Sequence, residues 1–374
     1  MRRTYKYKAK ISKETETNAL SWISLCCALY NSVLEQRQTI YRQYRKSMSC
    51  YDQIKQLPDL KKELPEFKQV GSQVLQDVVE RCDKAFKAFF RRLKTGEKAG
   101  FPRFRSFHRY DSFTLKQTGW KLDGRNLHIA NVGRFKLFLS RPIEGTIKTV
   151  TITRSTTGEW FVCFSCDNVS EKPLPKTGKE VGLDVGLNHF IVDSDSNFIN
   201  NPKFFRKSEK QLRVVQRKLS RCKKSSTRRK KVKLQVAKKY KKVKNQRVDF
   251  LHKTANYYIE NYDMICIEDL KIKNMIRNRH LAKSIADASW GTLGSMLVYK
   301  AESAGRTVSK VNPYRTSVNC SLCGMPVQKS LSVRIHNCPH CGLILDRDLN
   351  ASLNIRAAGQ ADQTLTRSSR MYVV

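Results

Sequence analysis

Four cysteines near the C-terminus constrain this 374-residue chain more than any other feature. They form two pairs, Cys320-Ser-Leu-Cys323 and Cys338-Pro-His-Cys341, with fourteen residues between the pairs. Paired thiols at this separation match a four-thiolate zinc site. Gly324 and Gly342 directly follow the pairs, where the chain must turn tightly around a bound metal. His336 and His340 lie in the same stretch, but four cysteines already complete a tetrahedral shell. A closed shell leaves no position for substrate, so the predicted zinc is structural rather than catalytic. The remaining eight cysteines are scattered, which suits a reducing compartment better than a secreted disulfide framework.

This ribbon interrupts a second pattern, lying between the last two of three widely separated acids. Asp184 in VGLDVG and Glu268 in MICIED each end an apolar run, and Asp348 in LDRDLNAS opens a helical one. A carboxylate at the end of an apolar strand lies at the sheet edge, where a cation can reach it. Three such groups can hold Mg²⁺ or Mn²⁺, hard ions that prefer oxygen ligands and retained water. Two ions held in this way activate water and stabilise the leaving oxygen of a phosphodiester. Each acid also has a plain structural reading, and Asp348 makes a fair helix N-cap. Asp193, Asp195, Asp269 and Asp346 are acidic neighbours competing for the role.

The charge balance points the same way. The chain carries 72 Lys and Arg against 32 Asp and Glu, a net charge of +40. Self-repulsion on that scale calls for a polyanionic partner, and phosphate contacts make nucleic acid the expected one, with salt-sensitive binding. No apolar run approaches the ~18 residues of a spanning helix, and MRRTYKYKAK lacks the apolar core of a signal peptide. The expected setting is cytoplasmic, with no membrane partner.

Periodicity divides the chain. MRRTYKYKAKIS alternates like a strand. Leu20, Ile23, Cys27, Tyr30 and Leu34, and later Leu75, Val79, Cys82, Phe86, Phe89 and Leu93, repeat at helical spacing and predict packed helices. From Phe101 to about Asp167 the period becomes two, as in a small β-barrel. FPRFRSFHRYDSF at its start interleaves Phe with Arg, which suits base stacking or a barrel core with a basic face. Residues 206–247 hold twenty Lys and Arg but one acid, Glu209. Leu212, Val215 and Leu219 punctuate that run, so a basic helical hairpin against a nucleic-acid backbone is expected.

At this point the motifs resemble those of a known family: TnpB (OrfB), transposon-encoded relatives of the type V CRISPR nucleases. YKYKAKIS, RRLKTGEKAGFPRFRS, VGLDVGLN, IEDLKIKNM, LAKSIADASWGTL, TSVNCSLCG, LSVRIHNCPHCG and DRDLNASLNI carry the resemblance over nearly the whole length. It implies an α/β fold, an RNase H-like (RuvC) nuclease domain with an inserted zinc ribbon. A β-barrel wedge domain interrupted by a helical recognition domain would precede it. The implied boundaries are 1–12 for the first part of the wedge, 13–100 for the recognition domain and 101–170 for the rest of the wedge. A linker at 171–180 follows, then the nuclease at 181–312 and 346–360 around a ribbon at 313–345 that would bind the target nucleic acid, and a disordered tail at 361–374.

The implied activity is RNA-guided cleavage of double-stranded DNA beside a short adjacent motif, using Mg²⁺ (or Mn²⁺), Zn²⁺ and a guide RNA from the transposon end. Base pairing would supply most of the sequence specificity, a monomer is favoured, and the implied cytoplasm is that of a prokaryote, with the protein associated with the nucleoid. Carried over by motif, Asp184, Glu268 and Asp348 are the catalytic acids, with Asp346 the runner-up to Asp348. Arg334 in LSVRIHNC matches a nuclease-site arginine whose guanidinium suits a scissile phosphate, while Arg347 fits that pattern less closely. Ser72, Gln73 and Gln76 are candidate readers of the adjacent motif. The rival functions are a guided binding protein with a silent nuclease and a transposase that joins DNA ends. Loss of an acid would favour the first, and all three acids are present.

Overall fold

The computed structural model describes residues 1–330 and 332–371, with side chains described to Asp362. It divides into two compact units, Met1–Ser170 and Glu171–Val374.

In the first unit, strand β1 (Arg3–Ile11) turns Tyr5, Tyr7 and Ala9 inward and its lysines outward. Ser12 stops the strand and caps the following helix by accepting a bond from the Thr15 N–H at 3.1 Å. Helices α1 (Lys13–Tyr44), α2 (Cys50–Lys55), α3 (Leu57–Glu63) and α4 (Ser72–Lys94) follow. Six more strands complete the unit: β2 (Ser112–Leu115), β3 (Trp120–Asp123), β4 (Asn126–Ile129), β5 (Gly133–Phe138), β6 (Thr146–Arg154) and β7 (Trp160–Asp167). The sheet order is β2-β6-β7-β1-β5-β4-β3, so the first strand sits at the centre, paired with β5 and β7. The helices thus interrupt one sheet.

Its edge strands β2 and β3 are neighbours in sequence, which forces curvature. A flat seven-stranded sheet spans about 29 Å at ~4.8 Å per strand. The chain from Leu115 to Trp120 reaches at most about 18 Å. The sheet therefore curls like a barrel, although among the described residues its pairing stays open between β2 and β3.

The two predicted helical stripes pack as expected for most of their length. Ile23, Cys27, Tyr30 and Leu34 of α1 are buried, as are Leu75, Val79 and Cys82 of α4. The α4 stripe then leaves the core, and Leu93 is 53% exposed. The Phe/Arg segment divides between the two readings: Phe113 is fully buried, whereas Phe101, Phe104 and Phe107 are exposed.

The second unit opens with β8 (Glu180–Asp184), β9 (His189–Asp193) and β10 (Phe198–Asn200), then the helical pair α5 (Phe204–Ser220) and α6 (Thr227–Asn261). Strand β11 (Met264–Glu268), helices α7 (Ile272–Met275), α8 (Ala282–Ala288) and α9 (Trp290–Ala304), and strand β12 (Thr307–Val311) follow. A small hairpin, β13 (Ile335–Asn337) and β14 (Ile344–Asp346), leads into α10 (Arg347–Met371). The main sheet runs β10-β9-β8-β11-β12, with β8, β11 and β12 parallel. The near-continuous apolar runs of β8 and β11 suit strands covered on both faces. Helix α10 lies close on this sheet: a Cβ at Gly182 would fall 2.0 Å from the Ser352 carbonyl. Only glycine allows that approach.

Two expectations change. The linker expected at 171–180 is fastened along this unit. Lys172 and Leu174 donate their N–H groups to the Ser303 and Ala304 carbonyls, and Thr177 and Gly178 bond the Asp263 carboxylate. The disordered tail expected at 361–374 is helical through Met371. Residues 361–371 contain neither Gly nor Pro, so nothing local stops the helix. Residues 372–374 lie outside the described residues.

Candidate active site and metal centre

Parallel pairing brings the first two acids together. Leu183 of β8 is in register with Ile267 of β11, so Asp184 and Glu268 are the next residues on adjacent strands, at the same carboxyl edge. That edge is where open α/β sheets place their ligands. Asp348 arrives from the first turn of α10, which packs on β8.

Electrostatics shows that the three acids share one environment. Asp184 is raised to about 8, first by burial and then by the charges of Glu268 and Asp348. Glu268 is also raised by burial, against a 2.5 Å bond donated by the Thr316 hydroxyl. Asp348 is raised by burial and by Asp346, against the cations Arg334 and Arg347. Crowded carboxylates of this kind favour a bound cation. The donor set is all oxygen, as Mg²⁺ or Mn²⁺ requires.

Arg334, half exposed, reaches Asp348 at 3.6 Å. The backbone reinforces this pairing, since the Arg347 N–H donates to the Arg334 carbonyl at 2.7 Å.

The acidic neighbours separate cleanly. Asp346, not Asp348, caps α10: its carboxylate accepts from the N–H groups of Asp348 and Leu349 at 2.8 and 3.2 Å. This corrects the N-cap reading of Asp348, whose own carboxylate is free of that duty. Asp193 is fully buried and holds Tyr258, Asn197 and the turn amide of Asp195. Asp195 accepts from Tyr262. Asp269 is exposed beyond the end of β11.

The four cysteines converge. Their sulfurs all lie within 4.8 Å of one another, with Cys320–Cys341 and Cys323–Cys338 at 3.6 Å. Sulfurs around a tetrahedral zinc at ~2.3 Å are about 3.8 Å apart, so the cluster fits the ion. Burial pushes the Cys338 thiol up, but the N–H groups of Cys341 and His340 and the neighbouring sulfurs hold it at about 6. His336 is fully buried beside Lys329, outside the sulfur cluster.

Three residues that motif reading did not single out join the two sites. Thr316 holds Glu268. Asn350, fully buried, accepts from the Ser321 N–H and donates to the Asn319 carbonyl. Asn354, one turn on, donates to the Thr316 and Asn319 carbonyls. The i, i+4 spacing of Asn350 and Asn354 behind Asp348 was the available signal.

Of the candidate motif readers, Gln73 accepts from the Gln117 and Thr118 N–H groups, which leaves its amide NH₂ to point elsewhere. Ser72 accepts from Lys61, and Gln76 is partly exposed.

Comparison with known proteins decides the family. Residues 162–279 match the family model OrfB_IS605, described as a probable transposase, and residues 290–355 match the TNB domain of Cas12f1-like proteins. A protein of Streptomyces pristinaespiralis, named as an RNA-guided DNA endonuclease, is 31% identical over 96% of this chain and 90% of its own. The chain belongs to the TnpB (OrfB) family. InsQ of Escherichia coli strain K12, similarly named, is 32% identical over 78% of this chain and 75% of its own. The fold resembles the Cas12f1 chain in a Cas12f1–sgRNA–target DNA complex, with a TM-score of 0.60 at 13% identity, covering 95% of this chain and 98% of that one. Among the described residues no helix is long and apolar enough to cross a membrane.

Proposed function

We propose that this TnpB-family protein is a metal-dependent, RNA-guided DNA endonuclease of a transposon, acting in a prokaryotic cytoplasm. The observation that carries the reading is the meeting of Asp184, Glu268 and Asp348 in one crowded environment at a sheet edge, in a chain whose relatives carry that name. The second unit reads as an RuvC-like nuclease with an inserted zinc ribbon. The curled sheet of the first unit reads as a wedge interrupted by a helical recognition domain.

In this reading Asp184, Glu268 and Asp348 hold divalent cations. Held there, such ions would supply an activated water and charge stabilisation at the leaving oxygen. Arg334 contributes a guanidinium beside Asp348, free to turn toward a scissile phosphate. Thr316 fixes the Glu268 carboxylate. The zinc ribbon, bonded to α10 through Asn350 and Asn354, sets the position of Arg334 and Asp348, while its zinc itself takes no part in the reaction. Gln73, held by the 117–118 backbone, is the best-placed candidate for reading an adjacent motif.

Sequencing the RNA that co-purifies with the protein tests the reading directly. One defined transcript from the transposon end, and cleavage of a duplex matching its guide, is the expected result. Binding of transposon ends and end joining without RNA would support the transposase instead.

A further inference from the structure

The apolar stripe of α4 outruns the core that should cover it, and what lies there is a cavity of about 570 Å³. That volume falls within the ~300–1,000 Å³ range of small-ligand sites. Aromatic rings form its walls. Phe101 packs edge-on against Phe86 and Phe89 at 5.6 and 5.2 Å, and Phe90 lies 6.5 Å from Phe86. Phe90, Phe101 and Tyr41 are each about half exposed, so the rings lie open to solvent. Rings of this size seldom stay uncovered without a use.

One polar group in the wall is unsatisfied. Arg37 lines the cavity with its side chain only 9% exposed. Its Nε donates to Gln53 at 2.6 Å and its Nη1 to Asp83 at 3.0 Å, but Nη2 is buried with no partner. A buried donor of this kind costs free energy until an acceptor reaches it. The guanidinium lies over the Phe86 ring at 5.3 Å, which supplies attraction but no acceptor lone pair. Two exposed cations, Arg42 and Lys87, stand among the lining residues. Lys87 and Arg37 together neutralise Asp83, the acid in the wall.

We infer that this cavity seats a single unpaired nucleotide, its base among the aromatic rings and its phosphate on Arg42. A base has a flat face for the rings, and its acceptor edge would meet Nη2 once the Arg37 guanidinium turns toward the cavity. An aliphatic side chain would leave Nη2 unmet and the exposed Arg42 without an anion. The inference rests on the nucleic-acid-binding reading above and adds a site that base pairing between guide and target does not explain. The nucleotide belongs to the RNA or to a displaced DNA strand, and the chemistry of recognition is the same for both.

Ultraviolet crosslinking of the full-length protein with its co-purified RNA, followed by peptide mass spectrometry, tests the site. A nucleotide adduct on the peptides bearing Tyr41, Phe90 or Phe101 is expected. An adduct formed with RNA alone assigns the nucleotide to the guide; one that forms only after target duplex is added assigns it to DNA. RNA crosslinks elsewhere in the chain, with none here in either arm, would overturn the inference while leaving the RNA-guided reading intact. Absence of RNA crosslinks anywhere would remove that reading, and the inference with it.

The paired substitution Tyr41→Ala and Phe90→Ala removes only exposed rings, so the fold should survive and circular dichroism should be unchanged. Binding of the nucleic acid that the crosslink identifies should weaken about tenfold or more, as expected for loss of base stacking. The salt dependence should be unchanged, because the rings carry no charge. Unchanged affinity would reject the site. A dimer in sedimentation that the paired variant abolishes would also reject it, because a second copy would then fill the cavity.

Discussion

The second unit carries two candidate metal sites that solve opposite problems. The four sulfurs come from two short turns, the second of them the loop of the β13–β14 hairpin, and lie within 4.8 Å of one another. The three carboxylates come from β8, β11 and α10, elements up to 164 residues apart in the chain (348 − 184). Without metal the raised Cys323 and Cys341 thiols keep their protons beside the lowered Cys338, so the cluster avoids crowding four thiolates, and metal binding would order the ribbon. The carboxylates are instead held together by the fold whether or not a cation is present, and burial, with their mutual repulsion added, raises Asp184 to about 8. One site would derive its local structure from the ion. The other takes its geometry from the sheet and bears an electrostatic strain that an ion relieves. That is the expected division between a structural and a catalytic centre.

The largest test of this contrast removes the acids one at a time. Asp184→Ala, Glu268→Ala or Asp348→Ala should each reduce cleavage about a thousandfold or more, with RNA binding and folding retained. Timed cleavage of a matched duplex measures the first and filter binding the second. Full activity in the Asp348 variant would exclude it from the site and return attention to Asp346, against that residue's capping role.

Cysteine replacement should act on both function and structure. Cys338→Ser should abolish the one zinc per chain and loosen the ribbon, because structural zinc contributes on the order of 10 kcal/mol of local folding. Cleavage should fall indirectly, by about tenfold or more, as Arg334 and Asp348 lose their anchor through the 347–334 backbone bond. Metal analysis with hydrogen exchange over residues 313–346 checks this. A variant with no zinc, an ordered ribbon and full activity would break the link between the two sites.

How far the sequence revealed these sites follows from the same contrast. The cysteines were legible because their spacing is local and the chemistry demands it. The acids were legible as strand-end carboxylates, but that they act as a group came from the family's motifs. Sequence alone could not choose between Asp346 and Asp348, two residues apart, because the choice rests on where α10 begins. Nor could it show Thr316 bonded to Glu268, a hydrogen bond across 48 positions. The central place of β1 was equally hidden, since its partners lie more than a hundred residues away. The α4 stripe misled in its last turns because periodicity reports an apolar face, not what covers it.

The strain at the acids predicts a pH dependence for the metal-free protein. Asp184 binds its proton more tightly folded than unfolded, since its value rises from 3.8 to about 8. Its stabilising contribution is therefore present below about pH 4 and is lost as pH rises toward 8. Chelated protein should melt several degrees lower at pH 8 than at pH 6 for this reason. Asp184→Asn, which cannot ionise, should flatten that slope and raise the melting temperature near pH 8. Saturating Mg²⁺ should flatten it in the unsubstituted protein. A slope identical in the two proteins would mean that the carboxylates are not strained.

The gentlest test concerns a region where neither site lies. Helices α5 and α6 pack through Leu212, Val232 and Val243 and expose most of their lysines and arginines. Arg229 bonds the Leu219 and Cys222 carbonyls, so it closes the turn and is not available to a phosphate. Lys230, Lys231, Lys233 and Lys238 are exposed on α6. Replacing all four with Gln should leave the fold intact and weaken RNA binding mainly at low salt. For every phosphate that a lysine no longer neutralises, the slope of log affinity against log salt should fall by about 0.7–0.9. Sequence preference should not change, because phosphates carry no base identity. The aromatic-cavity variant is the counterpart, since it should weaken binding at every salt concentration by the same factor. An unchanged slope in the lysine variant would make this face merely solvated, and would shift the search for the RNA-binding surface to the exposed phenylalanines and arginines at 101–109.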